Sequence, residues 1–533
     1  ALNTDGGGAI IEWEGSNSIK ISNSTFTSNT ASGKGGAVHG KGTGNMEITN
    51  STFTSNTASS NGGAICSGGA VTVIDSEFKQ CNANSGKDVY ANGQNVNLIC
   101  NDYDNKIKYG NGEVVGNVVK YVVSGTFAEV QYRIDSTPNN GVLNLENKKY
   151  TADDKDTTIT VNKNIIINGQ GSILDADKKF RIMNVANVNV TLKNINFING
   201  YATGTTAEND GGAIRTTGGN ITLINSTFAN IHANRFGGVI YSNNGNLTVT
   251  NSTFINTTAS TCGAIYSNGI TTVTNSTFIN TSASASGGAI YKLGNAGSLT
   301  VIDSTFINTT AGGSGGAIYK SSTSNVTVIG SHFINTTSTG TGSTNGGGAI
   351  YITGGGNFNV TNSTFTNNTA GSKGASIYTR SVSNVKDSTF NSPNANGTSI
   401  IYIQSSSLDV NLTNNTIESN LLAIYNNGGN ITSSTSLKFQ NVTANVFDET
   451  NLTAVFTDDK GNILGSASNV IGVVNGTVVE FVFNNNTNKF IGVYTPLAKG
   501  NYTISGNYTS ASNINVTNGT LTVNTIPIDD FKI

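Results

Sequence analysis

The sequence GGAIY at residues 287–291, followed by SLTVIDSTFIN at residues 298–308, is the unit that decides the fold. It recurs about every 25 to 28 residues, a period typical of repeat architectures. Apolar and polar residues alternate in the second segment, as in a strand with one buried face, and the Gly pairs and Asn/Ser clusters predict turns. A single unit cannot bury its apolar row, but stacked units can. The phenylalanine of the unit recurs at Phe26, Phe53, Phe78, Phe197, Phe228, Phe254, Phe278, Phe306, Phe333, Phe365 and Phe390.

This pattern predicts an all-β protein built on right-handed parallel β-helix solenoids, with three strands per coil and ~4.8 Å between coils. Phe127, Val130 and Ile134 follow a helical spacing, which predicts one amphipathic helix over 126–136 that caps a solenoid end. The alternating strands near the carboxyl end predict an immunoglobulin-like β-sandwich. The expected domains are the end of a first β-helix at 1–115, a second β-helix with its cap at 116–435, the sandwich at 436–525 and a linker at 526–533.

The composition and charge of the chain restrict the classes of function that it can have. The 533 residues include 64 Gly and only 4 Pro, and charged residues make up 11% against the ~25% of ordinary domains. The formal net charge of −2 offers no basic field for nucleic acid or an anionic membrane surface. The sequence contains no run of 18 apolar residues, so it predicts no transmembrane helix. The chain begins in mid-repeat at Gly6-Gly7-Gly8-Ala9-Ile10, so we expect a processed chain or a piece of a longer one, with signal and anchor elsewhere.

The repeats resemble those of the adhesin-like surface proteins of methanogenic archaea, whose units also combine Gly-Gly-Ala-Ile with Ser-Thr-Phe. More distantly, they resemble the GGAI and FxxN repeats of chlamydial polymorphic outer-membrane proteins, a form found at residues 26–29 and 53–56. Residues 165–175 and 190–200 resemble opening coils of pectate-lyase-like β-helices, and 436–525 resembles the immunoglobulin-like repeats that follow them. The resemblance implies export, a role in attachment and an anaerobic setting in which thiols stay reduced.

One repeat position carries tyrosine in eight consecutive coils. Other coils hold His39 or Arg215 there, which indicates that the position faces outward while Ile290 faces inward. Such a row is either a ligand face for glycans or proteins or a self-stacking ladder that stiffens the solenoid. The tyrosines are Tyr241, Tyr266, Tyr291, Tyr319, Tyr351, Tyr378, Tyr402 and Tyr425.

The tripeptide Asn-x-Ser/Thr occurs 28 times, which in an exported protein predicts some N-glycosylation. The alternative is structural, because asparagines at a repeated turn position also bond in ladders. Asn225, Asn251, Asn275 and Asn362 share one such position, with Asp303 and Asp387 in other coils. The sequons singled out as candidates are Asn251, Asn275, Asn308, Asn335, Asn451 and Asn507.

Catalysis, cofactors and metals are not expected. Glycan hydrolysis needs carboxylates converging on one groove, whereas residues 211–430 hold only isolated acids: Asp303, Asp387, Asp409 and Glu418. Arg215, His232 and Arg235 fall within one coil, but no carboxylate is expected near them. His39, His232 and His332 lie in different repeats without metal-ligand spacing.

Two covalent cross-links remain open. Cys66 and Cys262 occupy repeat positions and are expected to be small buried residues, while a bridge between Cys81 and Cys100 is one alternative. The predicted sandwich carries Lys438, Glu480 and Asn524 on its first, a middle and its last strand, the residue types of a Lys–Asn isopeptide bond. The competing interpretation is that these are three solvated side chains.

Together these features predict an extracellular cell-surface adhesin, a rigid rod that presents a repeated lateral surface. The expected partners are glycans or proteins on another cell, or copies of the same chain. Affinity would come from many weak contacts acting together. The alternatives are a structural surface-layer or fibre subunit and a polysaccharide lyase or hydrolase.

Overall fold

The computed structural model describes the following residues: 6–13, 15–100, 102–103, 114–203, 206–295, 297–404, 409–427, 430–433, 436–457, 463–465, 470–508 and 515–525. The chain divides into two compact units, residues 1–137 with 148–159 and residues 138–147 with 160–533. The strand content is 52% and the helix content 3%. The strands form about 15 turns of a parallel β-solenoid. The all-β parallel solenoid is therefore confirmed, while its right hand stays a prediction.

The coil that begins at the quoted repeat shows how the sequence forms these strands. Its tyrosine strand is Ile290–Lys292, its alternating strand is Leu299–Ile302 and its phenylalanine strand is Thr305–Ile307. Leu299, Val301 and Phe306 are fully buried. Each strand pairs in parallel with its copy in the next coil, so equivalent residues stand in rows.

A two-residue strand, Thr310–Ala311, adds a fourth segment that the three-strand prediction missed. Most of the fourth strands have only two residues, which is too short to show an alternation in the sequence. The fourth strands of the second unit are Tyr201–Ala202, His232–Phe236, Thr258–Thr261, Ser282–Ala283, Thr310–Ala311, Thr337–Ser338 and Thr369–Ala370.

The backbone geometry explains why each repeat contains a pair of glycines, here Gly287 and Gly288. Gly287 takes a φ of +73°, a left-handed conformation that most side chains disfavour. A Cβ at Gly288 would lie 1.9 Å from the carbonyl oxygen of Gly316 in the next coil. The pair therefore allows both the turn and the close stacking of coils.

The first unit repeats this coil. Its tyrosine-type strands are Ile10–Glu12, Val38–Gly40, Ile65–Ser67, Val89–Ala91 and Val114–Val115. Its alternating strands are Ile19–Ser22, Met46–Thr49, Val71–Ile74, Val96–Ile99 and Val119–Val122. Its phenylalanine strands are Thr25–Thr27, Thr52–Thr54, Glu77–Lys79 and Asp102–Tyr103, and its fourth strands are Thr30–Ala31 and Thr57–Ala58.

The second unit contains the longer solenoid. Its alternating strands are Gly141–Asn144, Ile165–Asn168, Val190–Lys193, Ile221–Ile224, Leu247–Thr250, Thr271–Thr274, Leu299–Ile302, Val326–Ile329, Asn357–Thr361, Val382–Lys386, Asp409–Thr413 and Asn430–Ser433. Its phenylalanine strands are Ile173–Asp175, Asn196–Ile198, Thr227–Ala229, Thr253–Ile255, Thr277–Ile279, Thr305–Ile307, His332–Ile334, Thr364–Thr366, Thr389–Ser392 and Thr416–Ser419. Its tyrosine strands are Met183–Val185, Ile214–Thr216, Ile240–Ser242, Ile265–Ser267, Ile290–Lys292, Ile318–Ser321, Ile350–Thr353, Ile377–Thr379, Ser399–Ile403 and Leu422–Asn426.

The predicted amphipathic helix forms over Phe127–Ser136. The Asp156 carboxylate accepts hydrogen bonds from the backbone N–H groups of Phe127 (3.1 Å) and Ala128 (2.9 Å). It thus satisfies amide groups that a helix start leaves unpaired and complements the helix dipole. Strands at Lys149–Thr151 and Ile159–Val161 and a short 3-10 helix at Thr206–Asn209 complete the regular elements of this region.

The carboxyl-terminal region is a mainly antiparallel assembly around its own apolar core, which includes Leu437, Phe456 and Phe490. This confirms the alternating strands expected there, while their immunoglobulin-like class stays a prediction. Its strands are Ser436–Phe439, Val442–Asn445, Thr450–Thr457, Val470–Val474, Thr477–Asn484, Lys489–Tyr494, Gly500–Tyr508, Asn515–Thr517 and Gly519–Asn524. The domain boundaries expected from the sequence stay predictions, and the predicted linker at 526–533 lies outside the described residues.

Candidate functional site: an aromatic row and its polar borders

The eight tyrosines form one continuous stack along the second solenoid. Parallel pairing in register brings each ring against its copy in the next coil. The shortest distance between ring centroids is 4.3 Å, for Tyr351 and Tyr378, and the longest is 5.4 Å, for Tyr378 and Tyr402. The fold therefore gathers every predicted tyrosine into one row.

These rings are less exposed than the sequence indicated. Tyr351, Tyr378 and Tyr402 form a buried cluster of their own, and Tyr266 is also buried. The row therefore borders solvent mainly where its rings are half-buried, at Tyr241, Tyr291, Tyr319 and Tyr425.

Neighbouring segments help to cover the row. The ring of Phe236 stacks on Tyr266 at 4.9 Å, and the Tyr351 hydroxyl donates to the carbonyl oxygen of Thr344 at 2.7 Å. The Lys373 ammonium lies 4.8 Å from the Tyr402 ring centroid. Phe236 ends a strand that is longer in this coil than in most others, and Thr344 lies in a turn, so the repeat pattern did not predict this cover.

Burial also fixes the protonation of the row. Loss of water raises the pKa of Tyr291 and of Tyr402 to about 12, and neighbouring phenols add to the effect. Burial raises the pKa of Tyr266 and Tyr351 further. These four phenols are consequently neutral over the whole physiological range and interact as hydrogen-bonding aromatic groups rather than as charges.

Arg215 occupies the position of the row one coil before Tyr241, and its guanidinium carbon lies 5.9 Å from that ring. Arg181 is buried nearby and donates to the backbone carbonyl oxygens of Asp210 and Gly211, both at 2.9 Å. Burial, followed by repulsion from Arg215, lowers the pKa of Arg181 to about 10. A cationic border thus stands at the amino-terminal end of the aromatic row.

The expectation that no carboxylate lies near the basic residues of this coil was wrong. Asp210 is 1% exposed, and its two oxygens accept bonds from Arg235 Nε at 2.8 Å and from a terminal nitrogen of the same guanidinium at 2.6 Å. Asp210 lies one residue before the segment whose acids were counted, and it meets Arg235 through the stacking of coils. The contact is a bidentate ion pair, which orients both groups.

The histidines of the second unit lie in outer rows. The His232 ring lies tilted against that of Tyr201, with 4.9 Å between the ring centroids, and its nitrogens bond with Thr258 (2.7 Å) and Asn234 (2.9 Å). His332 bonds with Thr364 at 2.7 Å. Across the described residues, no three His, Cys, Asp or Glu side chains gather closely enough to hold a metal ion.

Asp303 and Asp387 are too far apart to act as the carboxylate pair that glycan hydrolysis uses. Asp303 and Asp387 share a row but stand three coils apart, on the order of 14 Å at ~4.8 Å per coil, whereas hydrolytic pairs lie within ~9.5 Å. Asn414 donates a hydrogen bond to Asp387. Asp409 and Glu418 lie on different strands, paired with Asn430 and Asn391.

The asparagines in these rows have structural roles: they adopt a left-handed backbone conformation and form hydrogen bonds with their copies in adjacent coils. Asn251 and Asn275 have φ values of 50° and 47°, and the Asn275 amide donates to the Asn251 side-chain oxygen at 2.8 Å. A second row behaves alike: Asn335 donates to Asn308 at 3.2 Å. Asparagine tolerates this left-handed conformation better than most residues. The six candidate sequon asparagines are all exposed: Asn251, Asn275, Asn308, Asn335, Asn451 and Asn507.

Neither cross-link considered from the sequence has a basis here. All four cysteines are free thiols, so the Cys81–Cys100 bridge is not formed. Lys438, Glu480 and Asn524 are all exposed. Glu480 therefore does not supply the buried acid that an isopeptide bond requires, and solvated side chains describe the three residues better.

A family model, the Chlamydia polymorphic membrane protein repeat, matches the chain at residues 23–41, 50–68 and 362–380. No curated protein and no solved structure matches the chain. The molecule is thus a parallel β-solenoid repeat protein. Part of its repeats are similar to the polymorphic membrane protein repeat, and this combination fits a surface-associated or outer-membrane-associated protein. Among the described helices, none has the length and apolar character needed to cross a membrane.

Proposed function

We propose that the chain is an extracellular adhesin-like protein of the cell surface, a stiff solenoid that presents a repeated lateral surface for attachment. The observation that carries the proposal is the combination of polymorphic-membrane-type repeats with a row of eight stacked tyrosines. Its partners are glycans or proteins of another cell. The proposal includes no catalytic step and no cofactor. Exposed sequons carry part of the glycan load, and the carboxyl-terminal strands form an immunoglobulin-like module.

The second candidate is a structural surface-layer or fibre subunit that contacts its own copies. The burial of four of the eight tyrosines favours this alternative, because rings that cover one another stiffen the solenoid without meeting a ligand. Whether the row binds a partner or only stiffens the solenoid therefore depends on the half-buried tyrosines, which border solvent.

A matched pair of hydroxyl deletions separates the two. Tyr319 is half-buried and Tyr378 is 2% exposed, and both rings stack on Tyr351. Tyr319→Phe should weaken attachment of the full chain to cells or to arrayed glycans, at a melting temperature like that of Tyr378→Phe. Tyr378→Phe should leave attachment unchanged. Equal attachment by both variants would favour the structural role, and a full chain that holds no cells or glycans above a control protein would refute the adhesin.

A further inference from the structure

In the first unit, the repeat position that carries tyrosine in the second unit has a gap. Its row runs from Ile11 through His39, Cys66 and Tyr90 to Val115, in register from strand to strand. Two rings, the His39 imidazole and the Tyr90 phenol, flank the short Cys66 side chain. In the second unit, the corresponding place between two rings is filled by a third ring.

A groove of about 360 Å³ lies at this gap. Cys66, 3% exposed, is at its floor, and His39, Tyr90 and Asn92 contribute to its walls. This volume falls in the range of small-ligand sites, which are ~300 to 1,000 Å³. Two strand spacings separate His39 from Tyr90, roughly 9.6 Å at ~4.8 Å per strand, so the groove matches the width of one inserted ring.

Two lysines, Lys34 and Lys41, contribute to the lining of the groove, and no acidic residue is among the described residues of its lining. Burial raises the pKa of the Cys66 thiol to about 11, and the charge of Lys34 opposes that shift. The Lys41 ammonium lies 4.8 Å from the ring centroid of Trp13, which is half exposed. Ammonium groups beside aromatic walls suit a ligand that combines a ring with an anionic group.

We propose that this groove binds a small ring-bearing carboxylate, with the ring between His39 and Tyr90 and the carboxylate at Lys34 and Lys41. The shared chemistry is that of an acidic sugar residue and of an aromatic acid. The site goes beyond attachment by the tyrosine row, because it lies in the other unit and takes a single small molecule.

The experiment uses the full chain and four probes: D-glucuronate, benzoate, and their neutral counterparts D-glucose and benzyl alcohol. Binding is followed by saturation-transfer NMR and titration calorimetry. At least one acid should bind ten times more tightly than its neutral counterpart. Binding of glucuronate alone identifies an acidic sugar, binding of benzoate alone an aromatic acid, and binding of both the shared chemistry. The proposal is overturned if neither acid binds better than its neutral counterpart.

Three variants localise the binding. Cys66→Tyr should fill the groove and abolish binding, whereas Cys66→Ser keeps the space and should bind normally. Lys34→Gln should weaken acid binding at least fivefold, and Lys20→Gln, at an exposed ion pair with Glu47 elsewhere in the unit, should not. Binding that survives Cys66→Tyr would place the ligand elsewhere. If Cys66→Tyr melts below the parent protein, the two lysine variants decide. Cell attachment should not change in any of them, so failure here is separable from failure of the adhesin proposal.

Discussion

Lys292 and Lys320 are paired in register on adjacent strands, and both side chains are fully buried inside the second solenoid. The Lys292 ammonium donates to the carbonyl oxygens of Asn268 (2.9 Å) and Leu293 (2.8 Å), and that of Lys320 donates to Gly355. Burial alone lowers the pKa of each lysine to about 8. Two like charges thus stand in consecutive coils, and the partners that their ammonium groups have among the described residues are carbonyl oxygens.

Replacing these lysines should stabilise the protein. Ile352 follows Lys320 in the same row and is fully buried, so isoleucine fits this position. Lys320→Ile should raise the free energy of unfolding at pH 7 by about 1 to 4 kcal/mol, the gain known for replacing buried ionic groups by apolar ones. Urea unfolding measures the change. A control, Lys386→Ile at an exposed lysine, should not stabilise.

The same lysines should make stability depend on pH in the alkaline range. Their pKa in the folded state, about 8, lies below the ordinary value of 10.5, so the unfolded chain holds more protons between these values. Stability therefore rises as pH increases from about 8 to about 10.5, and the destabilisation is fully present below pH 8. Urea midpoints across this range should rise more for the parent protein than for the Lys292→Ile, Lys320→Ile double variant. Equal slopes would contradict the assignment.

Gly288→Ala should be strongly destabilising. The added methyl group would lie 1.9 Å from a carbonyl oxygen of the next coil, a contact that requires the coils to separate. A loss of about 1 to 3 kcal/mol is expected from such overpacking. The matched control is Gly355→Ala, whose methyl group would meet only the Thr323 side chain at 3.6 Å. Thermal melting of the two variants gives the comparison, and equal melting temperatures would contradict the close stacking of coils.

Asp210→Asn should weaken the second unit near the start of the tyrosine row. The change removes the charge that binds the Arg235 guanidinium and leaves a cation without its partner. Because Arg235 is 39% exposed, the expected cost is about 2 to 3 kcal/mol, below the ~3 to 5 kcal/mol of fully buried pairs. Glu208→Gln, at a neighbouring exposed acid, should change stability by less than ~0.5 kcal/mol. Both are measured by urea unfolding.

Arg215→Tyr should extend the aromatic row by one ring. The new phenol would stack on Tyr241, worth about 0.5 to 1.5 kcal/mol, and repulsion of Arg181 would end. Relief of that repulsion should raise the pKa of Arg181 above its present value of about 10. Arg215→Ala removes the charge without adding a ring, so the difference in melting temperature between the two variants isolates the stacking. An Arg215→Tyr protein that melts no higher than Arg215→Ala would contradict it.

The repeat predicted the solenoid because alternation fixes which side of each strand is buried, and parallel stacking then fixes the register. It could not predict Asp210 with Arg235, since residues 25 positions apart meet only when coil lengths are known. Nor did alternation reveal Lys292 and Lys320, two charged residues at an inward position that the neighbouring coils fill with Ser267, Ile352 and Thr379. Cover over the tyrosines was missed for a related reason, because residues such as Thr344 belong to turns without a repeat.

The approach of Gly288 to Gly316 recurs between other coils, as between Gly263 and Gly288. Consecutive coils therefore stack through the same glycine-to-glycine backbone contact. Unequal recombination within such a gene can add or delete one whole coil and still yield a continuous core. The architecture therefore lets the length of the solenoid change by one coil at a time, independently of the side chains on its surface.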